Sequence, residues 1–233
     1  MVKAVIFDLD DTLYDYSSLN DAAIRKAGEW LCSQTGIPYD EFIMAFNEGR
    51  NKVKANMGDC ASQHNRIIYF QKMSELLGIN PIKYSLELYD KYWGHMLENM
   101  HLEIGVEKLL QRFRESGIKI AICTDLTTHI QHRKLRKLEI ADFVDVFVSS
   151  EEAGAEKPDI KIFNMAVDKL GMLPSEMVYV GDSYEKDIIG AENAGIYPIW
   201  FNPYGKPRKG KEIKKMLEIT KMEQLGEYIY GGQ

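Results

Sequence analysis

The apolar run Val2-Lys3-Ala4-Val5-Ile6 leads straight into Phe7-Asp8-Leu9-Asp10-Asp11-Thr12-Leu13-Tyr14. Carboxylates at the end of a buried strand need a cation, backbone donors or solvent as partners. Residues i and i+2 of a strand point the same way, so Asp8 and Asp10 converge on one space if the chain stays extended there. Two carboxylates at close range raise one another's pKa unless a divalent cation sits between them. Taken alone, a polar turn or a helix N-cap explains the octapeptide equally well.

The C-terminal half repeats the pattern. Met177-Val178-Tyr179-Val180-Gly181 is a second apolar run that stops at a carboxylate, Asp182, and Asp187 follows five residues later on the first turn of an expected helix. A third run, Ile118–Cys123, ends in Thr124-Asp125, and Lys157-Pro158-Asp159 reads as a helix start. Several strands thus deliver a polar group at their C-terminal ends, the edge where open parallel sheets bind ligands.

Asp8-Leu9-Asp10-Asp11-Thr12, Thr124, Lys157-Pro158 and Gly181-Asp182-Ser183 through Asp187 resemble the four ordered motifs of the haloacid dehalogenase superfamily of phosphohydrolases. The likeness spans roughly residues 1–14 and 100–203. An Asp-x-Asp-x-Thr motif is weak evidence alone; four motifs in order, each after a strand or at a helix start, are strong.

Length and composition agree with such a chain. Its 233 residues suffice for one large domain or a domain with an insertion, and 45% hydrophobic with 27% charged residues fits a globular protein. A net charge of −6 disfavours a general nucleic-acid binder. Cys32, Cys60 and Cys123 show no Cys-x-x-Cys spacing, so neither a disulfide framework nor a zinc site follows and a reducing compartment is expected. No leader-like segment and no apolar run of about 20 residues is found, which predicts a cytoplasmic protein with no membrane partner.

From 15 to 100 no strand pattern is found. Ser17 and Ser18 are candidate caps for a helix over 19–35, and further helical patterns cover 40–57, 63–77 and 81–100. Phe42, Phe46, Tyr69, Phe70, Met73, Tyr89, Tyr92 and Trp93 read as the core of that bundle. From about Glu103, helix and strand alternate: helices over 106–115, 129–138, 159–170 and 184–194, strands over 118–123, 144–148, 177–180 and 197–201. This predicts an α/β fold with a parallel sheet and helices on both faces. A basic helix carrying Lys211, Lys214 and Lys215 and a last helix over 222–230 complete the expectation. The resemblance implies a Rossmann-like core (1–14 and 101–233) with an inserted α-helical cap domain (15–100).

The resemblance also assigns roles. Asp8 is the nucleophile that becomes an aspartyl-phosphate. Asp8 and Asp182 are side-chain ligands of Mg²⁺, a hard cation that binds oxygen and substrate phosphate. The backbone carbonyl of Asp10 is a third ligand, and Asp187 orients the ligands rather than binding directly. Asp10 is the general acid/base; haloacid dehalogenases proper generally lack an acid there, so phosphatase chemistry is favoured. Thr124 donates to the phosphoryl oxygens, and Lys157 neutralises growing charge and holds Asp8.

One position departs from the family pattern: Asp125 stands where many helical-cap relatives carry Asn, and an acid near bound phosphate is repulsive unless it points elsewhere or pairs with a cation. His129, His132 and Arg133 are candidate partners, or else an exposed helix face. Trp200-Phe201-Asn202 is similar to a Trp-x-Asn pattern of some nucleotide and small-metabolite phosphatases, and the basic segment 206–215 reads as solvated surface, with attraction of anionic substrates as the alternative. The expected function is Mg²⁺-dependent hydrolysis of a small phosphorylated metabolite, of nucleoside monophosphate or sugar phosphate type. The alternatives are a phosphomutase of the β-phosphoglucomutase kind and a catalytically silent scaffold. A receiver-type signalling module has the wrong length and motif order. Oligomeric state is not legible.

Overall fold

A computed structural model describes residues 2–58 and 60–231. Residues up to Asp15 together with those from His101 onward form one compact unit, and Tyr16–Met100 form another.

The helical unit consists of α1 (Tyr16–Thr35), α2 (Tyr39–Met57), α3 (Arg66–Leu76) and α4 (Pro81–Glu98). Its core is aromatic: Phe42, Phe46, Tyr69, Phe70, Tyr92 and Trp93 are all buried, while Tyr89 is half-buried. Two expectations are corrected here. Ser17 and Ser18 lie inside the first turn of α1 and are not its cap. The single helix expected over 63–77 is divided, because Asn65 accepts from the Ile67 N–H at 3.0 Å and starts α3 afresh after a short 3₁₀ turn.

The α/β unit is one parallel six-stranded sheet. In chain order its elements are β1 (Ala4–Phe7), α5 (Val106–Glu115), β2 (Lys119–Thr124), α6 (Thr128–Lys137), β3 (Val146–Ser149), α7 (Ser150–Ala153), α8 (Ile160–Leu170), β4 (Met177–Gly181), α9 (Ile189–Asn193), β5 (Tyr197–Phe201), β6 (Leu217–Ile219) and α10 (Glu223–Gly231). The strand order is β3-β2-β1-β4-β5-β6, and every pairing is parallel.

Strand β1 is completely buried, as its uninterrupted apolar run requires of a central parallel strand. Ala4, Ile6, Ala121, Cys123, Met177 and Tyr179 turn to one face, against Ile162, Phe163 and Ala166 of α8 and Ala191 of α9. On the other face Phe7 lies 6.4 Å, centroid to centroid, from Phe113 of α5. The chain builds outward from β1 to β3, then crosses to β4 on the opposite side. That reversal puts the crevice between the ends of β1 and β4, where doubly wound sheets bind ligands.

The basic helix expected around 211–215 is absent. The segment is irregular there and ends in β6, which extends the sheet beyond β5. Tertiary demand overrides the local pattern: Ile213 is buried and its N–H donates to Tyr184 Oη at 2.9 Å, while the Asn202 N–H reaches Ile219 O at 2.8 Å. β6 covers an otherwise open strand edge. The helix expected over 184–194 opens as a π-helical turn, Tyr184–Ile188, before α9. Among the described residues no helix is long and apolar enough to cross a membrane.

Candidate active site

The parallel register aligns the strand ends. Phe7 pairs with Ile122 and with Val180, so Asp8 stands level with Gly181, and its N–H donates to Val180 O at 2.8 Å. Asp182 follows at the end of β4. The π-helical turn then returns Asp187 over the strand it has just left. Such turns recur at functional sites because the extra residue re-aims a side chain. Gly181 makes room for this return: a Cβ there would collide with the Asp187 carboxyl group.

Carboxylate oxygens of Asp8, Asp182 and Asp187 all lie within 4.8 Å of one another. Lys157, buried in front of α8, answers part of this charge, with its ammonium 2.6 Å from Asp8 Oδ1 and 2.7 Å from Asp187 Oδ1. Asp187 is fully engaged: Oδ1 also accepts from the Tyr179 hydroxyl at 3.1 Å, and Oδ2 from the Ser183 N–H at 2.9 Å. Thr12 donates to Asp8 Oδ2 at 3.4 Å.

Three carboxylates face two ammonium groups, Lys157 between Asp8 and Asp187 and Lys206 at Asp182, and the electrostatics reflect the deficit. Burial pushes the Asp8 pKa up, Lys157 opposes, and Asp187, Asp182 and Asp10 add to the rise, leaving it well above the ordinary carboxylate range. Asp182 rises to about 6, through burial and the charge of Asp187, against the counter-pull of Lys206. Burial disfavours the Lys157 ammonium, but Asp187, Asp8 and Asp125 outweigh it and raise its pKa well above the usual value. An all-oxygen, electron-rich donor set of this kind fits a hard divalent cation.

Asp10 is not brought to this cluster by its side chain. β1 ends at Phe7 and the chain turns from Asp11, which lies in the left-handed region at φ 59°; the Asp10 carboxylate stays outside the three-carboxylate group, although its charge still acts on Asp8. Asp10 instead accepts from Lys134 Nζ, at 2.7 Å on Oδ1 and 2.8 Å on Oδ2, and from the Tyr14 hydroxyl at 2.5 Å. Thr124, fully buried at the end of β2, accepts from Gln131 Nε2 at 2.7 Å. Pro158 and Asp159 precede α8, with Asp159 capping it through the Lys161 N–H.

Asp125 has its cation, but none of the candidates named from the sequence supplies it. Lys186, from the π-helical turn, lies 2.7 Å from Asp125 Oδ2, and the Lys157 N–H donates to Oδ1 at 3.0 Å. His129 and His132 are exposed, the latter beside the Phe147 ring. Lys206 is exposed, as expected of its segment, and its ammonium nonetheless lies 2.7 Å from Asp182 Oδ2. The Trp-x-Asn pattern explains how. Trp200 Nε1 donates to Asp182 O at 2.9 Å, and buried Asn202 clamps the Lys206 backbone through Lys206 N to Oδ1 (2.7 Å) and Nδ2 to Lys206 O (3.1 Å). Sequence reading passed over Lys134, Gln131 and Tyr179. Only the first two left a trace, as polar residues within the apolar stripe Ile130, Leu135, Leu138 of α6.

A model of the haloacid dehalogenase-like hydrolases matches residues 2–195. The chain belongs to this family and is an enzyme of its α/β, Rossmann-like type. It is 39% identical over 206 residues to a ribulose-1,5-bisphosphate 5-phosphatase of Halopiger xanaduensis, covering 87% of this chain and 86% of the relative. To a glyceraldehyde 3-phosphate phosphatase of Pyrococcus abyssi it is 32% identical, over 98% of this chain and 93% of the relative. Among solved structures, a HAD phosphatase from Thermococcus onnurineus superposes with a TM-score of 0.74 at 26% identity, covering 99% of both chains.

Proposed function

We propose that this enzyme is a Mg²⁺-dependent phosphatase that hydrolyses small phosphorylated metabolites of sugar phosphate or nucleoside monophosphate type through an aspartyl-phosphate on Asp8. The observation that carries the reading is the Asp8–Asp182–Asp187 cluster with Lys157 bridging two of its members. The phosphatase names of relatives that match over most of the chain support the reaction class.

Asp8 and Asp182 would hold the metal, with the Asp10 backbone carbonyl. Asp187 would anchor Lys157, since both its oxygens are already engaged. When bound, Mg²⁺ supplies charge neutralisation that lets an anionic carboxylate approach an anionic phosphate.

The remaining steps belong to the chain. Asp8 attacks phosphorus as the bond to the leaving oxygen breaks, and Asp10 delivers a proton to that oxygen. Lys157 and the Thr124 hydroxyl stabilise charge on the phosphoryl oxygens. Asp10 then takes a proton from water, which attacks phosphorus, releasing inorganic phosphate and restoring Asp8. Tyr16–Met100 would be the cap domain that selects substrate, and the cytosol is the compartment that suits the reaction.

The test is phosphate release from p-nitrophenyl phosphate, triose and pentose phosphates, ribulose 1,5-bisphosphate and nucleoside monophosphates, with Mg²⁺ and with EDTA. Metal-dependent release is expected, with the highest kcat/KM on one small metabolite. Sugar phosphate isomers formed without free phosphate would identify a mutase instead, and no turnover of any kind a silent scaffold.

A further inference from the structure

Lys134 stands in α6 where an amphipathic helix would carry an apolar residue. Its neighbours in the buried stripe are Ile130, Leu135 and Leu138, and its side chain has 0% exposure. A buried ammonium is costly unless it is paired and hydrogen-bonded. Here both oxygens of one carboxylate take it up, Asp10 Oδ1 at 2.7 Å and Oδ2 at 2.8 Å. Tyr14 donates to Asp10 Oδ1, and its ring centroid lies 5.7 Å from the same ammonium. One turn earlier on the same face, Gln131 donates to Thr124 Oγ1 and to the Asp125 carbonyl, both at 2.7 Å. The buried face of α6 therefore binds the end of β2 and the turn after β1 in one hydrogen-bonded frame.

The turn cannot fix Asp10 by itself. β1 has ended, and the Asp10 backbone is held by an isolated bridge to Tyr14 rather than by a strand ladder. A two-point grip from a rigid helix defines both the position and the plane of the carboxyl group.

We infer that Lys134 is a positioning residue of the reaction, holding the Asp10 carboxyl group where the leaving-group proton has to be delivered. This rests on the acid/base role given to Asp10 above. A lysine that only stabilised the fold would have the same contacts but a different kinetic signature. The ratio kcat/KM covers steps up to the first irreversible one, here phosphoryl transfer to Asp8. In that step an alkoxide leaving group needs its proton, whereas p-nitrophenolate leaves without one. Misplacing the acid therefore penalises alkyl phosphates selectively, while general loss of active fold lowers both kinds of substrate alike.

The experiment compares Lys134→Met, close in volume to lysine, with the wild type and with Asp10→Asn. It measures kcat/KM, with Mg²⁺, on p-nitrophenyl phosphate and on the alkyl phosphate the wild type hydrolyses best. We expect Lys134→Met to lose about 10²-fold on the alkyl phosphate, at the lower end of what a positioned general acid contributes, and no more than a few-fold on p-nitrophenyl phosphate. Asp10→Asn should show the same selectivity, more strongly. Selective loss in Asp10→Asn with equal losses, or none, in Lys134→Met would overturn the role of Lys134 alone. No selectivity in Asp10→Asn would overturn the acid assignment, and the role of Lys134 with it. Should melting curves show the Met variant unfolded at the assay temperature, Lys134→Gln, which keeps an N–H donor, takes its place under the same criterion.

Discussion

The ammonium of Lys186 lies 2.7 Å from the carboxylate of Asp125, joining the turn after β4 to the end of β2. With the Lys157 N–H on its other oxygen, Asp125 ties together the segments that carry Thr124, Lys157 and Asp187. An acid beside the carboxylate cluster is thereby paired and turned into a brace.

That brace has a pH signature. Burial would raise the Asp125 pKa, but Lys157 and Lys186 outweigh it and hold it below the ordinary value. Between the folded and unfolded pKa values the unfolded chain binds more protons, so stability rises with pH there. The contribution is fully present above the unfolded value, about pH 4, and is lost as pH falls through the folded one. Melting temperature measured against pH should fall less steeply below about pH 4 for Asp125→Asn than for the wild type. Parallel curves would contradict the brace. Lys186 is partly exposed, so the effect should shrink in high salt.

Gly181 is predicted to tolerate no side chain. The added Cβ of Gly181→Ala would meet the buried Asp187 carboxyl group, which cannot withdraw without releasing Lys157, Tyr179 and the Ser183 N–H. Overpacking of this kind costs about 1–3 kcal/mol. Denaturant titration should show the loss in midpoint, with activity falling further than stability. A variant of unchanged midpoint would show that the turn can move.

A metal held by Asp8 and Asp182, as proposed, would stabilise the folded state by mass action. Mg²⁺ added to the EDTA-treated wild type should raise its melting temperature, and Asp182→Asn should lose most of that increment. The same increment in both would remove Asp182 from the ligand set.

Much of this architecture was legible because it follows from local pattern. The runs ending at Asp8, Thr124 and Asp182 are strands because central parallel strands must be apolar on both faces, and their order with the helices between them defines a parallel sheet. What escaped depends on tertiary demand. β6 follows the segment read as a basic helix and is a strand because β5 offers it an edge, while Tyr184 anchors Ile213 just before it. Lys186 and Lys206 look like surface lysines until the fold carries Asp125 and Asp182 to them. The convergence of Asp8 and Asp10 was inferred from a strand running on through both, whereas β1 ends at Phe7 and Lys134 and Tyr14 hold the Asp10 carboxylate. Lys134 is the instructive case: a charge in an apolar stripe marks a buried partner, but the sequence does not say which acid it is.

The central claim is covalent chemistry at Asp8, and trapping tests it most directly. The wild type with Mg²⁺ and its best substrate is quenched during turnover, reduced with borohydride and mapped by peptide mass spectrometry. The account predicts homoserine at position 8 in place of aspartate, absent without substrate and absent in Asp8→Asn, which should also release no phosphate. Phosphate release undiminished in Asp8→Asn, or trapped label at another carboxylate, would contradict it.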